Sequence, residues 1–506
     1  MSSLPDRENR IRKLDELRSK AIEPYPYSFE RTHTAAEALA DFDKLSESET
    51  QVKVAGRLRT RRDFGKTIFF DLHDESGKIQ LYIRKDEALL AQPSSDNALP
   101  ERNVPPGKHP LFSDFLSLVD LGDFVGVSGP LFKTKTGEPT INVKEFTMLS
   151  KSLAALPEKY HGLQDTEQRL RKRHLDLLVN QETREVFRTR SRLINLVRAF
   201  FDERGFLEVE TPMLQPLYGG AAAEPFRTHY RVLDRDYFLR IATELYLKRL
   251  IVGGFEKVYE IGKDFRNEGL DRVHNPEFTM LEAYQAYVDY SQMMRLTEEL
   301  FRLLASELTG STTVTPVTWM GAEFDFSGEW EKVEFVPALA EKIGTDPLQL
   351  SEDDLRKICK DKGVEVTDQT PYGKMLDKLF TELVQNHIQG PAFVADHPRI
   401  ISPLAKVHRN NPQLVERFEP VIAGVEFGNA FSELNDPLEQ RKRFEEQTAR
   451  HEEFSVMDED FLQVLEQGMP PTGGLGLGID RMVMLFTDSA SIRDVIIFPQ
   501  LKEEGK

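Results

Sequence analysis

Apolar residues recur along the chain at two spacings, and the switch between them marks out its parts. Near the start, Ile11, Leu14, Leu17 and Ile22 follow a helical period, which predicts an amphipathic helix over 7–22. From Val52 the pattern turns to short alternating or β-rich runs: VKVAGRLRT, TIFFDLHD, KIQLYIR, FVGVSGPLF and TINVKEFTML. Asp-Glu-Ser-Gly and Lys-Thr-Gly-Glu turns punctuate them, so a small barrel is expected. A Pro/Ser/Asn-rich stretch, 92–108, reads as a surface insertion between barrel strands. After Leu156-Pro157 the helical period returns, and 183–204 places Val186, Phe187, Leu193, Ile194, Val197 and Phe200 on one face before stopping at Gly205. Further helices are expected over Glu244–Val252, 290–308 and 436–453, and strands over 238–242, 258–265 and 276–287. Their hairpin-like spacing favours an antiparallel sheet flanked by helices, an α+β fold. The predicted organisation is a helical extension over 1–50, a barrel over 51–155 and a larger domain over 156–506.

Length supports the division, since 506 residues exceed the roughly 250–300 that one core can serve. No apolar run approaches the ~18 residues of a membrane span, the charged N-terminus lacks a secretion-signal core, and Cys359 is the only cysteine. These features predict a cytoplasmic protein with no membrane association. A formal charge of -18 argues against a protein that coats nucleic acid electrostatically. The acid is concentrated C-terminally: residues 1–150 hold 22 Lys+Arg against 24 Asp+Glu, net -2, leaving -16 for the remainder. A nucleic-acid contact in the first part would rest on a local cluster such as Arg57, Arg59, Arg61, Arg62 and Lys66, a run that also suits a plain solvated face.

Three segments of the larger part carry candidate chemistry. In KDFRNEGLDRVHNPEFTMLEAY, 263–284, strand alternation would put Arg266 and Glu268 on one face and Phe278, Met280, Glu282 and Tyr284 together on the next strand. Guanidinium, carboxylate, histidine and aromatic in this order suit a nucleotide, though a solvated sheet face also shows charges. In RFEPVIAGVEFGNAFSE, 417–433, a two-residue turn at Ala423-Gly424 sets Ile422 opposite Val425 and Val421 opposite Glu426. Glu419 and Glu426 then share a face, a pair that suits Mg²⁺ beside a phosphate, while Pro420 confines its strand to an edge or to irregular pairing. In MPPTGGLGLGIDRMVMLF, 469–486, the glycines before an apolar helix bearing Arg481 fit either a plain turn or a close backbone approach to a ligand. The only Gly-Lys-Thr, at 65–67, lacks the first P-loop glycine.

Taken together, GFLEVETPML, FRNEGLDRVHNPEFTMLEAY and GGLGLGIDR resemble motifs one, two and three of the class II aminoacyl-tRNA synthetases. ELYLKRLIVGG and EFGNAFSELNDP resemble the lysine-activating, bacterial-type branch. The resemblance implies an OB-fold anticodon-binding barrel and an enzyme that makes lysyl-adenylate from lysine and ATP with Mg²⁺, then charges the lysine tRNA, as a homodimer. It further implies that Arg266 bridges the lysine carboxylate and the α-phosphate, that Phe278 and Arg481 sandwich adenine, that Glu268 reads its amino edge, and that His274 touches the outer phosphates. Glu419 and Glu426 would hold Mg²⁺. Gly219 and Gly220 would lie near the amino acid, Glu244 and Glu282 would belong to its pocket, and Glu433, Tyr284 and Asn429 would form the ε-ammonium site. Capping of its own helix is the competing role for Glu244. On the barrel, Arg62, Phe69, Gln80 and Glu138 match anticodon-reading positions, although either Phe69 or Phe70 must face the core. Rival readings are an aspartate- or asparagine-activating enzyme and a non-catalytic RNA-binding paralogue.

Overall fold

The computed structural model describes residues 4–85, 87–91, 108–110, 113–156, 165–309, 316–449 and 457–502. Most of the expected insertion, 92–107, and the end of the helix expected over 436–453 lie outside them. The chain forms two compact units, Met1–Gln164 and Asp165–Lys506.

In the first unit the opening helix runs Leu4–Ser19 and buries Leu14 and Leu17. The strand Val52–Phe64 serves two neighbours, pairing with Phe124–Gly129 through its first half and with Thr67–His73 through its second. An irregularity between Leu58 and Thr60 bends it from one to the other. Pro130 divides the expected FVGVSGPLF run into Phe124–Gly129 and Leu131–Lys133, because proline has no N–H for the ladder. Ile68, Phe70, Leu72, Ile79, Leu81 and Ile83 fill the interior by strict alternation. Phe70 is therefore the core phenylalanine, and Phe69 points outward. Gly65 takes a positive φ of 59° in the hairpin turn before Thr67–His73, which accounts for the Gly-Lys-Thr without a phosphate.

The second unit is built on a nine-stranded sheet. Its path runs Leu207–Glu208, Lys257–Phe265, Glu277–Ala286, Thr472–Gly478, Gly428–Ser432, Arg417–Ile422, Ala392–Ala395, Glu331–Glu334, with Val425–Glu426 paired to Arg417–Ile422 beside the path. Pairing is antiparallel through the middle and parallel at both ends. One face is a hydrophobic core. Leu281, Ala283, Leu475, Leu477, Ala430 and Phe418 pack there against the helices Gln181–Glu203, Tyr290–Thr309 and Ile479–Phe486. The helix expected over 183–204 thus begins slightly earlier, and Gly205, at φ 75°, follows its end. The other face of the sheet is left for polar work.

The stretch holding Gly473, Gly474, Gly476 and Gly478 is not the turn that its composition suggests. Thr472–Gly478 is a central strand, hydrogen-bonded on both sides, and none of these four glycines has a positive φ. Leu475 and Leu477 supply the alternation of a strand, while Gly474, Gly476 and Gly478 leave its other face bare. The result is a trough along the middle of the sheet.

Candidate active site and nucleic-acid face

The trough is walled by side chains from its flanking strands. Register places Met280 opposite Gly478, Glu282 opposite Gly476 and Tyr284 opposite Gly474 on one side. Asn429 stands opposite Gly476 and Phe431 opposite Gly474 on the other. A methyl group at 474 would run into both Tyr284 and the Glu433 carboxylate. At 476 and 478 the nearest atom would be 3.6 Å away, an ordinary contact. The fold itself does not demand glycine at those two positions, and their bareness leaves room above the strand.

At one end of the trough three carboxylates are buried together. Glu433 continues the Gly428–Ser432 strand, Glu282 lies on Glu277–Ala286, and Glu244 is the first residue of the helix Glu244–Val252. Glu282 accepts from the Tyr284 hydroxyl at 3.0 Å and from the Thr243 amide at 3.3 Å. Burial, with Asp264 and Glu244 near it, pushes the Glu282 carboxyl up to about 8. Burial does the same to Glu433, up to about 8, because Glu244 and Glu282 add to it and the Lys248 ammonium only partly offsets it. The Glu244 side chain turns to Lys248 Nζ at 2.5 Å rather than to the free amides of its helix. Gly220, at φ 87°, packs so close that a Cβ there would stand 3.3 Å from that of Glu244. Gly219 packs on Leu245 nearby.

At the other end, Arg266 and Phe278 meet, the guanidinium centre 5.1 Å from the ring centroid. The Arg266 amide continues the hairpin ladder by donating to the Pro276 carbonyl at 2.9 Å. Glu268 departs from expectation. The strand ends at Phe265, so alternation no longer governs it, and Glu268 sits exposed in the loop with its amide folded back to the Arg266 carbonyl at 2.8 Å. His274 is brought to Arg481, its Nε2 3.3 Å from an Arg481 nitrogen, while Nδ1 faces Asp271 at 2.7 Å. Arg481 also donates to the Glu426 carbonyl.

The Ala423-Gly424 turn forms as its residues predict, with φ of 51° and 75°, and sets Val421 opposite Glu426 and Ile422 opposite Val425. Pro420 sits where pairing changes partner. Arg417 and Phe418 pair with Gly428–Ser432, Val421 and Ile422 with Val425–Glu426, and the Pro420 carbonyl receives the Phe427 amide at 2.7 Å. Burial would raise Glu419, but Arg417 at 2.5 Å and His397 at 3.4 Å hold it down to about 2. Glu426 is pushed up to about 7 by burial and by Glu419 itself. Asn429 Oδ1 accepts from Arg417 Nε at 2.9 Å, so its side chain serves this acid group rather than Glu433. Among the described residues no three His, Cys, Asp or Glu side chains gather to hold a metal alone. Two carboxylates, one of them raised by the other, nevertheless fit a hard divalent cation that takes its remaining ligands from phosphate.

Several site residues escape the sequence patterns used above. Phe431 follows from alternation with Asn429 and Glu433, and Lys248 lies one helical turn beyond Glu244, so both had a local signal. Arg417, two residues before Glu419, had one too. His397 had none, because only the sheet brings it to Glu419.

In the first unit, Arg62 pairs across strands with Phe69, Phe69 with Tyr82, and Asp71 with Gln80. Phe64, Phe69, Tyr82 and Phe132 form a continuous aromatic row, with successive centroids 5.8, 5.1 and 5.6 Å apart. Arg62 reaches Asp71 at 3.3 Å, Gln80 accepts from Thr140 at 2.9 Å, and Glu138 is exposed in the turn before Pro139–Asn142. The row offers flat π-surfaces edged by polar groups, as unpaired bases require.

Comparison with known proteins bears on both units. The family model for tRNA synthetases class II (D, K and N) matches residues 165–502, and the model for the OB-fold nucleic acid binding domain matches 52–149. A lysine–tRNA ligase of Roseiflexus castenholzii is 52% identical over 501 residues, covering 98% of this chain and 98% of that protein. One of Fervidobacterium nodosum is 48% identical over 506 residues, covering 99% and 94%, and one of Moorella thermoacetica is 49% identical over 498 residues, covering 97% of each. Motifs, sheet, trough and relatives agree, and the chain belongs to the class II tRNA synthetases of the D, K and N group.

Proposed function

We propose that this protein activates lysine with ATP, releasing pyrophosphate, and transfers the lysyl group to the 3′ end of the lysine tRNA. One observation carries the choice of amino acid: Glu244, Glu282 and Glu433 are buried at one end of the trough with a single fixed ammonium, Lys248, among them. Buried acid in excess of buried base calls for a cationic ligand. A substrate with a second carboxylate would need the reverse. The names of the relatives, lysine–tRNA ligase, support the same reading.

In this reading lysine lies along the trough with its ammonium groups toward Glu244 and Glu433 and its carboxylate toward Arg266. Adenine stacks between Phe278 and Arg481, Glu268 swings in from its loop to the amino edge, and His274 meets the outer phosphates. The lysine carboxylate is already a nucleophile, so no general base is needed. Its oxygen bonds to the α-phosphorus as the bridge to the β-phosphate breaks, and the protein contributes alignment and positive charge. Glu419 and Glu426 would hold Mg²⁺, which supplies charge neutralisation on the phosphates. Anticodon bases would stack on the aromatic row around Phe69, with Arg62, Gln80 and Glu138 at its edge. Leu207, Met213, Leu214 and Leu217, exposed in and after the first motif, support a second copy of the chain as partner, since covering exposed apolar side chains is favourable in water. No described helix is long and apolar enough to cross a membrane, and this activity belongs in the cytoplasm. ATP–pyrophosphate exchange across the twenty amino acids tests the reading: lysine alone should support it, and exchange driven by aspartate or asparagine would overturn it.

A further inference from the structure

Lys248 brings positive charge into a pocket whose other features select for positive charge. Its side chain is wholly buried on the helix Glu244–Val252, one turn beyond Glu244. Nζ lies 2.5 Å from Glu244 Oε1 and is ion-paired with Glu433 Oε2. Burial disfavours its charge, yet the two acids outweigh burial and hold it as an ammonium. Nothing in the adenylation chemistry uses this group.

The contact divides the carboxylates. Lys248 engages one oxygen of Glu433, and the other, Oε1, is buried without a hydrogen-bond partner over the bare backbone of Gly474. A buried carboxylate oxygen left open is costly unless something arrives to fill it. Glu282, by contrast, is already served by Tyr284 and Thr243. A glutamate side chain has several rotatable bonds, and ordering two of them against one ammonium before substrate arrives removes that entropy from the binding step.

We infer that Lys248 is a positioning residue of the amino-acid pocket, an internal ammonium that fixes Glu244 and Glu433 so that each turns its remaining oxygen to one ammonium group of a diamino substrate. This assignment rests on the lysine reading above. Charge supports it: once lysine is bound and its ammonium groups draw all three acids into the ionised form, three carboxylates less one ammonium leave two negative charges, matching the two ammonium groups of lysine. Without Lys248 three acids would face two ammoniums, and one acid would keep a proton and cease to act as a charged acceptor. Holding both acids to one Nζ also sets the distance between the two recognition points, which makes the pocket a gauge of side-chain length.

The test uses the full-length enzyme and pyrophosphate exchange. The parent is measured first, and a parent that exchanges with another amino acid but not with lysine overturns the functional reading and this assignment with it. Lys248→Met and Lys248→Gln are then compared, glutamine keeping a donor and similar length should methionine beside three acids fail to fold. The expected result is a lysine KM raised on the order of 100-fold, an ATP KM within about twofold of the parent, and a weakened preference for lysine over ornithine, which is one methylene shorter. In Lys248→Ala, added ethylammonium should restore part of the lysine affinity. An unchanged lysine KM overturns the assignment. So does a lowered one, which would make Lys248 a competitor for the substrate's place, and so does a parallel loss in lysine KM, ATP KM and kcat without chemical rescue.

Discussion

The two hydrogen-bonding ends of the proposed lysine pocket are unequal, and single residues expose the difference. Glu433 has an open oxygen and no other described donor beyond Lys248, whereas the Tyr284 hydroxyl is committed to Glu282 at 3.0 Å. Glu433→Gln should therefore raise the lysine KM by two to three orders of magnitude, from the ~3–5 kcal/mol lost when a buried pair is broken. Tyr284→Phe should cost no more than about 0.5–1.5 kcal/mol, one neutral hydrogen bond. Exchange kinetics on the two variants check the order, and a larger effect from Tyr284→Phe would move the ammonium site elsewhere. Titration gives a second expectation. Glu282 and Glu433 are both raised to about 8 in the free protein, against roughly 4.3 in an unfolded chain. A raised pKa contributes stability that is present in full below the unfolded value and is lost as pH rises through about 8. Lysine supplies the missing positive charge, so its stabilising effect should grow with pH. Melting curves with and without lysine should show a larger upward shift in Tm at pH 8.5 than at pH 6.5, and Glu433→Gln should reduce that difference.

At the scale of elements, the hairpin at Ala423-Gly424 and the helix Glu244–Val252 were legible because their signals are local: two turn residues between pairing strands, and an apolar stripe with a start and a stop. The strand Thr472–Gly478 was not. Its glycines carry no β propensity, and what makes it a strand is the pair of neighbours that supply its hydrogen bonds from far along the chain, 198 residues away for Met280↔Gly478 and 41 for Ser432↔Gly473. Glu268 failed for a related reason, since alternation was extended past the strand's last residue, Phe265. The bare face of the glycine strand can be tested directly. Gly476→Ala places a methyl group 3.6 Å from its nearest neighbour, so the fold should keep its Tm within a few degrees. The same methyl group stands in the trough, and adenylate formation should fall at least ~10-fold, as expected when reacting groups are displaced by about an ångström. Normal exchange by this variant would show that nothing lies against Gly476.

At the scale of the whole molecule, the two units carry different parts of the proposed function. The aromatic row belongs to Met1–Gln164, and every group proposed for adenylation belongs to Asp165–Lys506. Phe69→Ala should weaken tRNA binding about ten- to a hundred-fold, from roughly 1–3 kcal/mol of stacking per base, and leave lysine-dependent exchange unchanged. Filter binding and exchange on one preparation separate the two effects, and an unaltered tRNA affinity would remove the row from the recognition surface. The change of apolar period near Leu156 falls eight residues before the end of the first unit at Gln164, whereas the choice of Phe69 over Phe70 had to await the strand's register.

The one-sided sheet has a consequence for how mutations in this protein should be sorted. Along Glu277–Ala286 and Thr472–Gly478 the even-numbered positions, among them Glu282, Tyr284, Gly474 and Gly476, look into the trough, and the odd-numbered Leu281, Ala283, Leu475 and Leu477 look into the core. On Gly428–Ser432 the parity reverses, with Asn429 and Phe431 outward and Ala430 inward. Two phenotypes are thereby interleaved residue by residue, loss of activity in a stable protein and loss of the protein itself, and a substitution scan read by parity should separate them except at Gly474, where any side chain meets Tyr284 and Glu433.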